Sequence, residues 1–233
     1  MLNIKVFTLY PDLFPGFFDI GIYKKAKEKK IWNLEVFDIR EYAQDKHNTT
    51  DETPFGGGNG MLMRADVLAS ALDKNINFSE KNRNIYLSPK GKKFNQKLAK
   101  EFSEEKNLNI ICGHFEGIDQ RILETRNLEE ISIGDYILSG GESASFVFLD
   151  AIIRLIPGVL GNHLSVKDET FENELLEYPQ YTKPQKWEKK TVPEVLLSGD
   201  HAKIKHWRLS QSEDITRRQR PDLWEKYLKN KKK

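Results

Sequence analysis

The sequence predicts an α/β protein on a mostly parallel sheet covered on both faces, followed by a small helical C-terminal domain. Three observations predict it. Short, near-continuous apolar runs alternate with segments of helical period through the first two thirds of the chain, and parallel strands buried on both faces read as such runs. Three successive runs end in glycine-bearing loops, an arrangement that suits a ligand beyond the carboxyl ends of parallel strands. The charge then changes sign. Net charge is +2 over 233 residues, yet residues 1–175 carry 22 Lys+Arg against 27 Asp+Glu, and residues 176–233 carry 15 against 8.

Along the chain, "NIKVFTLY" reads as the first strand and "PDLFPGFFDIGIYKKAKEKK" as a turn leading into a helix with a lysine-rich end. "WNLEVFDIR" is the second strand. "MRADVLASALDK" and "GKKFNQKLAKEFSEEK" have helical period; in the latter Phe94, Leu98 and Phe102 recur at four-residue steps on one face. The strand "RNIYLSP" lies between them, and "LNIICGHFEG" and "EISIGD" follow. "ESASFVFLDAIIRLIP" closes the α/β part as a helix. From "GVLGNHLSVKDETFENE" the periodicity lapses into a polar, acidic stretch of linker character. The segment "EYPQYTKPQKW" is extended and broken by proline, and the remainder predicts two or three helices. Ser198 or Asp200 is placed to cap the first and Ser212 the second. The expected organisation is an α/β domain over 1–160, a flexible linker over 161–175 and a basic helical domain over 176–233.

Composition and motifs exclude several classes. The single cysteine, Cys112, rules out a disulfide framework and reads as a small buried hydrophobe. Neither a membrane-length apolar run nor a signal-peptide pattern is present, so a cytoplasmic protein is expected. The first strand is not followed by G-x-G-x-x-G, which argues against a nicotinamide oxidoreductase, and there is no P-loop, H-E-x-x-H or cysteine pair. Without a phosphate cradle, the loops at Leu87-Ser88-Pro89, Gly113 to Gly117 and Ile133 to Gly141 suit an uncharged base and ribose held by bare backbone. A fourth glycine-rich stretch, "PFGGGNGMLM", allows close approach by a substrate or another chain. Three of the four tryptophans, Trp187, Trp207 and Trp224, fall in the basic C-terminal part, which points to a polyanion partner and to nucleic acid before membrane.

The strings "PFGGGNGMLM", "SPKG", "CGHFEGIDQRI", "SIGDYILSGGE", "RLIPGVLG", "LLEYPQYTKP" and "VPEVLLSGDHAKIKHWR" occur in this order and span essentially the whole chain. Together they closely resemble the bacterial tRNA (guanine-N1)-methyltransferases of the SPOUT superfamily. The resemblance implies a trefoil knot in the α/β domain and an obligate homodimer with active sites at the subunit interface. It implies methylation of N1 of the guanine at tRNA position 37, with S-adenosyl-L-methionine as donor and with Mg2+. The cofactor residues it implies are Leu87, Ser88, Pro89, Gly113, Glu116, Gly117, Ile133, Gly134, Asp135, Tyr136, Ile137, Leu138, Gly140 and Gly141. Phe115 stands where the family carries a tyrosine.

N1 of guanine is protonated at neutral pH, so methylation needs a general base, and the charge that spreads to O6 needs a cationic partner. The resemblance places the base in "KDET", at Glu169 by alignment or at Asp168 if the register shifts. It places the cation at Arg154. The basic domain would grip the anticodon stem-loop, with Lys203, Lys205, Arg208, Arg217, Arg218 and Arg220 as candidate phosphate contacts.

Overall fold

The computed structural model describes residues 1–160 and 174–231. The chain forms two compact units, Met1–Gly161 and Asn162–Lys233. Most of the segment read as a linker lies outside the described residues.

The first unit runs β1 (Leu2–Thr8), α1 (Gly21–Glu28), β2 (Trp32–Asp38), the short β3 (Asp51–Glu52) and β4 (Leu62–Met63), then α2 (Ala65–Asn75) and β5 (Arg83–Lys93). It continues through α3 (Gln96–Ser103), β6 (Asn107–Ile111), α4 (Gln120–Thr125), β7 (Glu129–Ser132) and α5 (Gly141–Ile153). Five strands form one sheet in the order β2-β1-β6-β5-β7, and every pairing in it is parallel. The expectation of a mostly parallel sheet is met.

Strand side chains divide between two apolar layers with period two. Ile4, Val6, Ile85, Leu87 and Ile110 join Phe102 of α3 and Phe148 and Ile152 of α5 on one face. Phe7, Tyr86 and Ile111 join Val67, Leu68 and Leu72 of α2 and Ile122 of α4 on the other. Alternate side chains of a strand point to opposite faces, so only a strand apolar throughout can serve both layers. Phe102 lies fully buried against Phe148, with ring centroids 5.2 Å apart, and burial of such a side chain contributes roughly 1.5–3 kcal/mol.

Three local expectations are corrected. The helix read over "GKKFNQKLAKEFSEEK" begins only at Gln96, because β5 runs on to Lys93 and the Asn95 side chain caps α3 by accepting from the Leu98 N–H at 3.0 Å. Leu98 and Phe102 keep the buried face, while Phe94 precedes the cap and packs on Phe148. The strand itself is interrupted. Leu87 pairs with Ile131, residues 88–91 leave the ladder, and Lys92 pairs with Ile131 again. Gly91 passes over β7 so closely that a Cβ there would sit 2.4 Å from the Glu130 carbonyl carbon. Lastly, α4, β3 and β4 went unforeseen, since two to six residues are too few for a period to register.

The second unit contains the hairpin strands β8 (Lys186–Trp187) and β9 (Lys190–Thr191), then α6 (His201–Gln219) and α7 (Pro221–Lys231). Asp200 caps α6, accepting from the N–H groups of Ala202 and Lys203 at 3.1 Å each. Ser212 caps nothing. It is buried in the middle of α6, where its carbonyl accepts from the Thr216 hydroxyl at 2.6 Å. The helix breaks at Arg220 instead, and Pro221, which lacks an N–H, opens α7. Ser212 and Thr216 are the buried residues of α6, and Ile204, Trp207 and Ile215 are half-buried beside them.

Candidate cofactor site and basic surface

Because β6, β5 and β7 are adjacent and parallel, the loops after them leave the same edge of the sheet side by side. They enclose a cavity of about 350 Å³. Leu87, Ser88 and Pro89 line it from the β5 excursion, and Gly113, Glu116 and Gly117 from the loop after β6. Ile133, Gly134, Tyr136, Ile137, Leu138, Gly140 and Gly141 line it from the loop after β7. Asp135 does not join them; it is exposed and paired with Lys93 at 3.3 Å. Phe115 also lines the cavity, with φ of +58° on a non-glycine residue.

Backbone closeness holds the cavity together. The Gly141 N–H donates to the Gly113 carbonyl at 2.9 Å, and a Cβ on Gly141 would stand 2.6 Å from the Cα of Cys112. The glycine-rich stretch reaches the same rim. The Met61 carbonyl accepts from the Glu116 N–H at 2.9 Å, the Met63 N–H donates to the Gly117 carbonyl at 3.0 Å, and a Cβ on Gly60 would meet the Glu116 side chain at 2.7 Å. Phe55, at the far end of that stretch, is 99% exposed.

A polar group that sequence reasoning missed anchors the central loop. Glu142, in the first turn of α5 where the helix dipole favours a carboxylate, is buried. It meets His114 Nε2 at 2.7 Å and accepts from the Thr8 hydroxyl. The edge of Tyr10 packs on the His114 ring with centroids 4.9 Å apart, and the His114 N–H donates to Met63 Sδ at 3.3 Å. His114 and Glu142 both lie inside quoted motifs, but only the fold brings residues 28 apart in sequence together. Burial, with Glu142 nearby, pushes the Cys112 thiol well above its ordinary value, so it is no nucleophile. Burial also pushes Tyr86 up to about 12, with a further contribution from Glu130.

Arg154 is not brought to this cavity. It follows the last residue of α5, whereas Gly140 and Gly141 stand at the first turn; thirteen residues of helix separate the two ends by about 20 Å. Near Arg154, the Tyr23 hydroxyl donates to Asp150, and burial first and that carboxylate second raise the Tyr23 pKa above its usual range. Asp168 and Glu169 lie outside the described residues.

The six candidate phosphate contacts cluster on α6 and its end. Lys203 pairs with Asp200 at 3.1 Å, Arg217 and Arg218 share Asp214 at 3.3 and 2.5 Å, and Arg220 pairs with Asp222 at 2.7 Å. Lys205 is exposed on the same helix, and the Arg208 guanidinium lies over the Tyr178 ring at 4.8 Å. Exposed pairs of this kind are worth about 0–1 kcal/mol, so a phosphate can compete for each cation.

A parallel α/β unit with a backbone-lined cavity at the carboxyl edge of its sheet suits a small-molecule ligand, and the basic helical unit suits a polyanion. Comparison with known proteins narrows the class to methyltransferases. The sequence pattern of the tRNA (guanine-1)-methyltransferase TrmD family matches residues 2–226, and the chain belongs to that family. It is 66% identical over 230 residues to the tRNA (guanine-N(1)-)-methyltransferase of Pelagibacter ubique (strain HTCC1062), covering 99% of this chain and 100% of that protein. It is 52% identical to proteins of the same name from Bartonella tribocorum, over 98% of this chain and 97% of the relative, and from Wolbachia pipientis wMel, over 95% and 94%.

Proposed function

We propose that this enzyme transfers a methyl group from S-adenosyl-L-methionine to N1 of the guanine at position 37 of tRNA. The observation that carries the proposal is the full-length family match, together with a single cavity that gathers thirteen of the fourteen expected cofactor residues. The cavity fits the donor in kind: its walls are main chain and small or apolar side chains, suited to an adenine and ribose. Ile133, Gly134, Tyr136 and Leu138 would hold the adenine, with Glu116 and Gly117 toward the methionine part. When bound, the donor supplies a methyl group activated on a sulfonium.

The protein's own task is proton removal and charge placement. A carboxylate at Glu169, or Asp168, takes the N1 proton, worth roughly 10²–10⁴-fold in rate. The freed N1 lone pair would then attack the methyl carbon, the S–CH3 bond breaking with its electron pair left on sulfur as a neutral thioether, while Arg154 stabilises the charge that moves toward O6. The guanine must be turned out of the folded RNA to expose its Watson–Crick edge, at a cost of a few kcal/mol.

The length of α5 supports the homodimer reading. Arg154 stands about 20 Å along the helix from the cavity entrance of its own chain, a separation that an Arg154 supplied by a second copy would bridge. The close backbone crossings at Gly91 and Gly141 are compatible with the trefoil knot of SPOUT enzymes. Mg2+ finds no group of three or more His, Cys, Asp or Glu among the described residues, and the steps above use protein side chains alone. Among those residues no helix is long and apolar enough to cross a membrane, and a cytoplasmic tRNA-modifying enzyme is the setting we propose.

Transfer of a labelled methyl group to unmodified tRNA transcripts, followed by nucleoside mapping, tests the proposal. Label in 1-methylguanosine at position 37 is expected; label elsewhere, or none, overturns it.

A further inference from the structure

We infer that the β8–β9 hairpin is a separate RNA-contacting prong, in which Trp187 stacks on an unpaired base while Lys183, Lys186, Lys189 and Lys190 hold neighbouring phosphates. The inference rests on the tRNA reading above and assigns a contact that is not among the six α6 candidates.

Among the described residues, no residue of the β8–β9 hairpin is buried. Lys186 pairs with Thr191 and Trp187 with Lys190, the turn carries Glu188 at φ +53°, and the Val192 N–H donates to the Gln185 carbonyl at 3.0 Å to close its base. Every residue from 181 to 191 is exposed, and Trp187 is 64% exposed. An indole offers roughly 150–250 Å² of burial, and Trp187 leaves most of that area outside the core. Trp187 and Lys190, being direct cross-strand partners, share one face of the hairpin.

Charge complementarity selects the partner. Residues 181–191 hold four lysines against the single carboxylate of Glu188. Among the described residues none of these lysines enters an ion pair, whereas Lys203, Arg217, Arg218 and Arg220 all do. An unpaired lysine needs no internal partner displaced before it meets a phosphate, and each such contact adds about 0.7–0.9 to the salt slope of binding. An exposed aromatic set among lysines is the arrangement on which single-stranded bases stack without their sequence being read.

The test uses the full-length protein and an in vitro transcribed tRNA carrying guanine at position 37. Replacing Lys186, Lys189 and Lys190 together by Gln should lower the slope of log K against log[salt] by about 2–3. Trp187→Ala should weaken binding about 5- to 150-fold, with Trp187→Phe keeping most of the affinity. Wild-type tryptophan fluorescence should fall on tRNA addition by a component that Trp187→Phe lacks; this readout needs no destabilising change. Unaltered slope, affinity and quenching in a chain that still methylates tRNA would overturn the hairpin assignment alone. Failure of the wild-type chain to bind or methylate tRNA would remove both the assignment and the reading beneath it. Binding of the hairpin to anionic vesicles with tRNA affinity untouched by Trp187→Ala would assign it to a membrane surface and refute the RNA contact.

Discussion

Arg154→Ala in one preparation and Gly140→Val in another should each abolish activity, and mixing the two should restore part of it. At Gly140 the backbone is extended, with φ of −169°, so valine meets no conformational penalty; the obstacle is steric. A Cβ there would stand 2.2 Å from His114 Cε1 and 2.7 Å from a Glu142 carboxylate oxygen, so the His114 ring must swing and the cavity must deform. That variant should lose binding of S-adenosyl-L-methionine. Arg154→Ala should retain it, because Arg154 is assigned to the guanine O6 and every residue lining the cavity is left unchanged, and lose about 10²–10³-fold in rate. If each site combines the cavity of one chain with Arg154 of the other, random reassortment gives half heterodimers, each with one intact site. Activity then returns to about a quarter of wild type, well above the 1% or less expected of either variant alone. The assay is methyl transfer to tRNA after subunit exchange, with calorimetry of the donor on each variant. Recovery no greater than the average of the separate variants, in a mixture shown by mass to contain heterodimers, would refute the shared site.

Other outcomes follow from the same geometry and chemistry. Glu169→Ala should lower methyl transfer by roughly 10²–10⁴-fold and Asp168→Ala much less; loss of activity at Asp168 alone would move the base to that residue. Tyr86 has its pKa raised from 10.0 to about 12. The unfolded chain therefore loses this proton first as pH rises, and roughly 2–3 kcal/mol of stability, present in full below pH 10, disappears by about pH 12. Urea midpoints measured across that range should show the decline in wild type and a smaller one in Tyr86→Phe. Glu142→Ala should leave His114 and the Thr8 hydroxyl without their partner. A cost of about 1–3 kcal/mol for each group left unpaired is expected in urea unfolding, and a change below 0.5 kcal/mol would show that Glu142 does not hold the loop.

The sequence by itself determined the α/β class, because strands buried on both faces must be apolar throughout, and "NIKVF", "NIYL" and "LNIIC" have that property. It also marked the three cavity loops, since glycines at strand ends record where backbone must come close to something, and it marked the family through motifs too numerous to recur by chance. Tertiary structure decided what depends on distance across the fold. The seating of Glu142 against His114 and Thr8, the return of β5 to Ile131 after Gly91, the outward turn of Asp135 and the remoteness of Arg154 from its own cavity have no local signal. Ser212 shows the opposite limit: its chemistry suits a cap, but the continuous i to i+4 ladder of α6 runs straight through it and stops only where Pro221 lacks an N–H to give. Local chemistry proposes such positions, and long-range packing settles which are used.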